Sequence, residues 1–135
     1  MLEVRDRKGL PEPNKEGSKE LSDQSAFIDF STFQAVDVRL GVILSVQPAE
    51  GCRVPAYKLE LDFGPEIGIK RSIAQATNYS PEALVGKQVL AVVNLRPRQV
   101  GKHVSEVLVL GVPTQNQGTA LVVPDMAAIV GGRLF

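Results

Sequence analysis

The sequence predicts an all-β domain, a small closed barrel with one short internal helix. Three observations carry this. Two segments alternate apolar and polar residues with period two. The remaining apolar runs are short and separated by connections of hairpin length. The one strong interior helix signal falls between the third and fourth of these runs. The chain has 135 residues and is 44% hydrophobic, which suits a single domain with its own core.

Residues 1 to 26 stand apart from the rest. They hold five Lys/Arg and six Asp/Glu, together with Gly9, Gly17, Pro11 and Pro13, and their apolar residues follow no period. Such a composition buries too little surface to offset the entropy of ordering, so a disordered tail is expected there and a folded domain over residues 27 to 135. The folded part begins at FIDFSTFQAVD. Ser31 and Gln34 have capping-box spacing and Phe30 and Ala35 that of a hydrophobic staple, so a helical turn is expected at about residues 32 to 36.

VDVRLGVILSVQ follows. Val36, Val38, Leu40, Val42, Leu44 and Val46 occupy even positions, whereas Asp37, Arg39, Ser45 and Gln47 are odd and polar. This is a half-buried strand, and Gly41 within it marks a bulge or bend. PAEGCRVP reads as a loop. AYKLELDFG alternates Tyr57, Leu59, Leu61 and Phe63 with Lys58, Glu60 and Asp62 until Gly64-Pro65 stops it. IGIKRSIAQAT is a third, less regular strand. In NYSPEALVGK, Ser80 caps, Pro81 takes the first helical position, Glu82 complements the helix dipole and Gly86 ends the helix. KQVLAVVNL is a strand apolar on both faces, and SEVLVLGV and TALVVPD, joined by the polar PTQNQG, are two more. Strand, strand, strand, helix, strand, strand, strand is the order of an OB-fold, a five-stranded Greek-key barrel. The apolar strand faces exceed what one small barrel buries. A homodimer interface or a mildly oversized monomeric core accounts for the excess.

Composition narrows the chemistry. Lys+Arg is 15 and Asp+Glu is 15, so the net charge is zero, which disfavours purely electrostatic nucleic-acid binding while permitting a local patch. One cysteine, Cys52, excludes an internal disulfide, and one histidine, His103, leaves too few ligands for a transition-metal site. No metal or other cofactor is expected. The absence of a signal-peptide pattern and of a membrane-length apolar stretch makes a soluble, cytoplasmic protein the expectation. Catalysis is not expected either. His103 has no nucleophile motif beside it, and GPEIGIK fails as a phosphate loop, since Gly64 and Gly68 are too close and Arg71 follows Lys70.

The positive charge is concentrated in NLRPRQVGKHVSEVLVLGV. Arg96, Arg98, Lys102 and His103 lie within a few residues, around Pro97 and Gly101, and Lys70 and Arg71 sit on another strand. Arginine forks and neutral donors such as Asn94, Gln75, Gln99, Ser72 and Ser105 are what sugar-phosphate contacts use, and Pro97 stiffens the loop. A solvated hairpin tip carries the same residues, so the loop alone leaves both readings open. None of the five Phe and two Tyr falls in the basic loop, which favours recognition of a folded RNA by shape and backbone over base stacking.

RVPAYKLELDFGPEIGIKRSIAQAT, KQVLAVVNLRPRQVG and SEVLVLG, in that order, resemble the tRNA-binding-domain family and within it most nearly the branch called CsaA, a bacterial secretion-associated chaperone. The resemblance covers about residues 28 to 135. It implies an OB-fold whose terminal extensions, here FIDFSTFQAVD and ALVVPDMAAIVGGRLF, form a homodimer. It also implies binding of tRNA or similar structured RNA and, for the CsaA branch, of unfolded or export-bound polypeptides. The matching positions are Asn94, Pro97, Arg98, Ser105 and Glu106, with Lys70, Ser72 and Gln75 on the neighbouring strand; Arg71, Arg96 and Lys102 complete the candidate RNA-binding set. Where many tRNA-binding domains have Gly-Met after the matching serine, this chain has Glu106-Val107-Leu108, as in the CsaA pattern.

Overall fold

The structure is a computed structural model, and it describes residues 26–135. The tail expected at residues 1 to 26 lies outside them except for Ala26. Compactness divides the chain between Ala35 and Val36. The described part of the first unit carries one helix, α1 (Phe30–Gln34), whose residues are all exposed. The expected capping box is not formed. Asp29 takes the N-cap position with extended backbone and no side-chain cap bond, which places Ser31 inside the helix.

The second unit is the barrel. Its strands are β1 (Val38–Pro48), β2 (Tyr57–Asp62), β3 (Ile69–Ala74), β4 (Gln88–Val92), β5 (Arg98–Val100), β6 (His103–Ser105), β7 (Leu108–Val109), β8 (Gly111–Pro113) and β9 (Thr119–Leu121), with helix α2 (Pro81–Leu84) between β3 and β4. Strands β3-β2-β1-β4-β7 form one antiparallel sheet in that order. The sheet curls until β3 meets the segment just before β7, giving the nearly closed OB-fold barrel. Helix α2 forms as the sequence predicts. The Ser80 Oγ accepts from the Ala83 N–H at 3.2 Å, Pro81 opens the helix, and Leu84 is driven fully into the core. That core also holds Ile43, Leu59, Leu61, Phe63, Val89, Ala91 and Val107.

Strand β1 has the predicted period but uses it differently. Residues directly opposite in an antiparallel pair share a face. Gly41 faces Val89 and Ile43 faces Leu61, so odd positions point into the barrel. Val38 and Leu40 pair with Val92 and Leu90 and point outward, yet both are buried. Their half of β1 carries a further neighbour. The Leu134 N–H donates to the Val38 carbonyl at 2.9 Å, and Leu40 exchanges bonds with Gly131 and Gly132. The C-terminal segment therefore lines β1 where β2 does not reach. At Leu44 a bulge restores the usual phase, leaving Leu44 42% exposed and returning Val46 to the face of Leu59. Gly41 is required by close approach: a Cβ there would sit 2.6 Å from the Phe63 ring.

Barrel closure rests on two side chains. Past the sheet edge, the Glu106 N–H donates to the Arg71 carbonyl at 2.8 Å and the Glu106 Oε1 accepts from the Arg71 N–H at 2.9 Å. One pair further along β3, the Ser105 Oγ accepts from the Ile73 N–H at 3.0 Å and donates to the Val107 carbonyl at 3.2 Å. Ser-Glu-Val is thus a staple that substitutes for a strand ladder.

Candidate nucleic-acid interface

The connection expected as a charged loop is a β-hairpin, with β5 and β6 paired from Arg98↔Ser105 to Val100↔His103. It is held against the β1–β2 loop, residues 49–56. The His103 Nε2–H donates to the Glu50 carbonyl at 2.8 Å. Gly101, at φ +59, approaches so closely that a Cβ would lie 3.3 Å from the Gly51 carbonyl oxygen. Beneath this contact lies a second small core of Ala49, Ala56 and Ile73, joined by Cys52 and Val100. At the base of the connection, the Asn94 Oδ1 accepts from the Asp37 N–H at 2.9 Å, and Val93 N–H donates to the Asp37 carbonyl. The Asp37 carboxylate accepts from Arg39 at 2.7 Å and lies 3.4 Å from Arg133. Its hydrogen bond is the main reason the Arg39 pKa rises above the ordinary arginine value.

These two fixed loops frame the outer face of β2 and β3, the face through which OB-folds bind oligonucleotides. Between them runs a cleft of about 370 Å³, lined among others by Arg53, Val54, Gln75, Arg98 and Val100. A smaller concavity brings Arg96 to Arg98 beside Leu95. The Lys102 side chain reaches back over Gly51. Arg53, Arg96, Arg98 and Lys102 are exposed and have no ion-pair partner among the described residues. A patch of unpaired cations on a rigid frame in a chain of zero net charge is suited to a polyanion held by its backbone.

The sequence-derived candidates separate into groups. Arg98 and Lys102 are exposed on the hairpin, Arg96 and Pro97 are exposed in the segment that leads into it, and Gln75 shares the cleft with Arg98. Arg71 lies on the outer face opposite Glu60, half exposed, with its guanidinium 3.8 Å from Glu106. Lys70 pairs with Leu61 and so starts on the opposite face of β3. Ser72 and Ser105 are buried, at 1% and 5% exposure, and Ser105 and Glu106 staple the barrel. Asn94 braces the start of β1. Arg53 was not among the candidates. Its signal was its place in the β1–β2 loop, which an OB-fold sets beside the charged hairpin.

Fold and cleft together define an OB-fold binding module with a basic face. The model of the family described as "putative tRNA binding domain" matches residues 38–133. The chain belongs to this tRNA-binding-domain family. Among sequences, it is 34% identical over 124 residues to the methionine–tRNA ligase of Bacteroides fragilis and 33% identical over 132 residues to that of Leptospira biflexa. Those matches cover 90% and 94% of this chain but 18% and 19% of the ligases, so the chain spans less than a fifth of their length. Among solved structures, the CsaA chaperone protein of Picrophilus torridus is 40% identical, with a TM-score of 0.77 over 81% of this chain and 100% of that one. Chaperone CsaA of Bacillus anthracis is likewise 40% identical, with a TM-score of 0.75 over 81% and 99%.

Proposed function

We propose that this chain is a non-catalytic, cytoplasmic RNA-binding protein that takes tRNA, or RNA of similar folded shape, on its basic cleft. The observation that carries the reading is the cleft itself: Arg53 and Arg98 face one concavity from two loops locked together by His103 and Gly101. The loop backbones that carry the cations need no rearrangement to meet phosphates, so binding has only the exposed side chains to order. Family membership and the likeness to tRNA ligases support the choice of RNA. The test is a titration of the purified protein with total tRNA at low and moderate salt. A complex that weakens steeply with salt supports the reading; no complex at low salt removes it.

A second activity, holding unfolded or export-bound polypeptide, is favoured by a groove next to the cleft that mixes polar groups with Leu108, Val109 and Val112, and by the likeness to the CsaA chaperones. It is tested by suppression of aggregation of an unfolded client at near-stoichiometric protein. The proposed assembly is a homodimer built on the terminal extensions. Phe27, Ile28 and Phe30 at one end, and Met126, Ile129 and Phe135 at the other, are each at least 60% exposed, a surplus of apolar surface that association would cover. Light scattering giving the mass of one chain would remove the dimer.

A further inference from the structure

We infer that tRNA and extended polypeptide exclude each other on this protein, with Arg98 as the group they contest; this rests on the two binding activities just proposed. Past the Ser105–Glu106 staple, β3 and the β7–β8 segment are not joined by a ladder. The space between them is a groove of about 440 Å³. The β8–β9 hairpin forms its far wall, latched by Thr119, whose Oγ1–H donates to the Gln75 carbonyl at 2.6 Å and whose N–H donates to the Asn78 Oδ1 at 3.1 Å. The groove offers apolar surface from Leu108, Val109 and Val112 and uncharged polar groups from Gln75 and Gln117. Among the described residues, Arg98 is the only charged one lining it.

That arrangement selects its occupant. The apolar wall takes aliphatic side chains of an extended chain, and the single unpaired guanidinium takes a carboxylate as a planar fork. RNA has no aliphatic groups to fill the groove, whereas a polypeptide with aliphatic residues beside an acidic one meets both requirements. Yet Arg98 also lines the phosphate-binding cleft. A phosphate and a carboxylate drawn to the same guanidinium would stand within a few ångströms of each other and repel, and Gln75 is shared in the same way, so the two bulky ligands crowd one spot. The two ligands therefore compete, and the amount of free tRNA sets how much protein is available to hold polypeptide.

The test uses the full chain and a short fluorescent peptide rich in Leu and Val and bearing one Asp, with tRNA as competitor. The apparent peptide Kd is expected to rise about tenfold when tRNA stands at about ten times its own Kd. Three substitutions at exposed positions separate the surfaces. Arg98→Ala is expected to weaken both ligands, Arg53→Ala only tRNA, and Val112→Gln only the peptide. Simultaneous binding with unchanged affinities overturns the inference. So does failure of the peptide to bind while tRNA binds, and that result leaves the RNA reading standing. Failure of tRNA to bind overturns the RNA reading and the exclusion with it.

Discussion

Two buried serines on facing strands are expected to respond to the same substitution in opposite directions. The Ser105 Oγ, on a residue 5% exposed, is the acceptor for the N–H of buried Ile73 and a donor to the Val107 carbonyl. Ser105→Ala leaves that N–H without a partner at the barrel seam, a loss of about 2 kcal/mol. With an unfolding entropy of about 2 cal/mol/K per residue over roughly 100 residues, the Tm falls by about 10 °C. Ser72 is 1% exposed, faces the interior opposite Leu59, and its Oγ has no hydrogen-bond partner among the described residues. Ser72→Ala removes an unsatisfied hydroxyl and is expected to raise stability by about 1 kcal/mol, or a Tm gain of about 5 °C. Both variants are measured by thermal unfolding at one fixed protein concentration, so that association does not enter the comparison. Equal losses at the two positions, or no loss at Ser105, would refute the staple as the device that closes the barrel.

Other expectations follow from single contacts. Gly41→Ala places a methyl group 2.6 Å from the Phe63 ring, which is itself fully buried; a loss of about 1–3 kcal/mol is expected from urea unfolding. Gln117 holds φ at +68 in the β8–β9 turn, so Gln117→Gly is expected to raise stability by up to about 1 kcal/mol in the same assay. The Gln88 side chain both donates to the Ala128 carbonyl and accepts from the Ala128 N–H, each at 2.8 Å. Gln88→Ala is expected to speed amide exchange at Ala128 while leaving tRNA affinity unchanged.

Local signals were legible and long-range ones were not. Ser80, Pro81 and Gly86 announce α2 because capping, fixed φ and a positive-φ stop all act within a few residues. Period two announces β1 as a strand but not which of its faces enters the barrel. Gly41, packed under Phe63, and the bulge at Leu44 decide that, and the even-numbered residues are covered partly by a segment some ninety residues later. Ser105 and Glu106 look from the sequence like polar members of a binding loop. Their partners, Ile73 and Arg71, lie more than 30 positions away, and no spacing rule reveals that. Alternation along β3 was sufficient to separate Lys70 from Arg71, since neighbours on a strand point to opposite faces. Arg53 was hidden because its loop carries a single positive charge, and only docking against Gly101 and Arg98 turns it into part of a patch.

The most direct test of the basic cleft is the slope of log K against log salt for tRNA binding, compared between the unaltered chain and the double variant Arg53→Ala/Arg98→Ala. Each phosphate contact contributes about 0.7–0.9 to the slope, so the double variant, which loses two, is expected to be shallower by roughly 1.4–1.8 per bound protomer. An unchanged slope would mean that phosphate is held elsewhere, and the cleft between the two loops would lose its role.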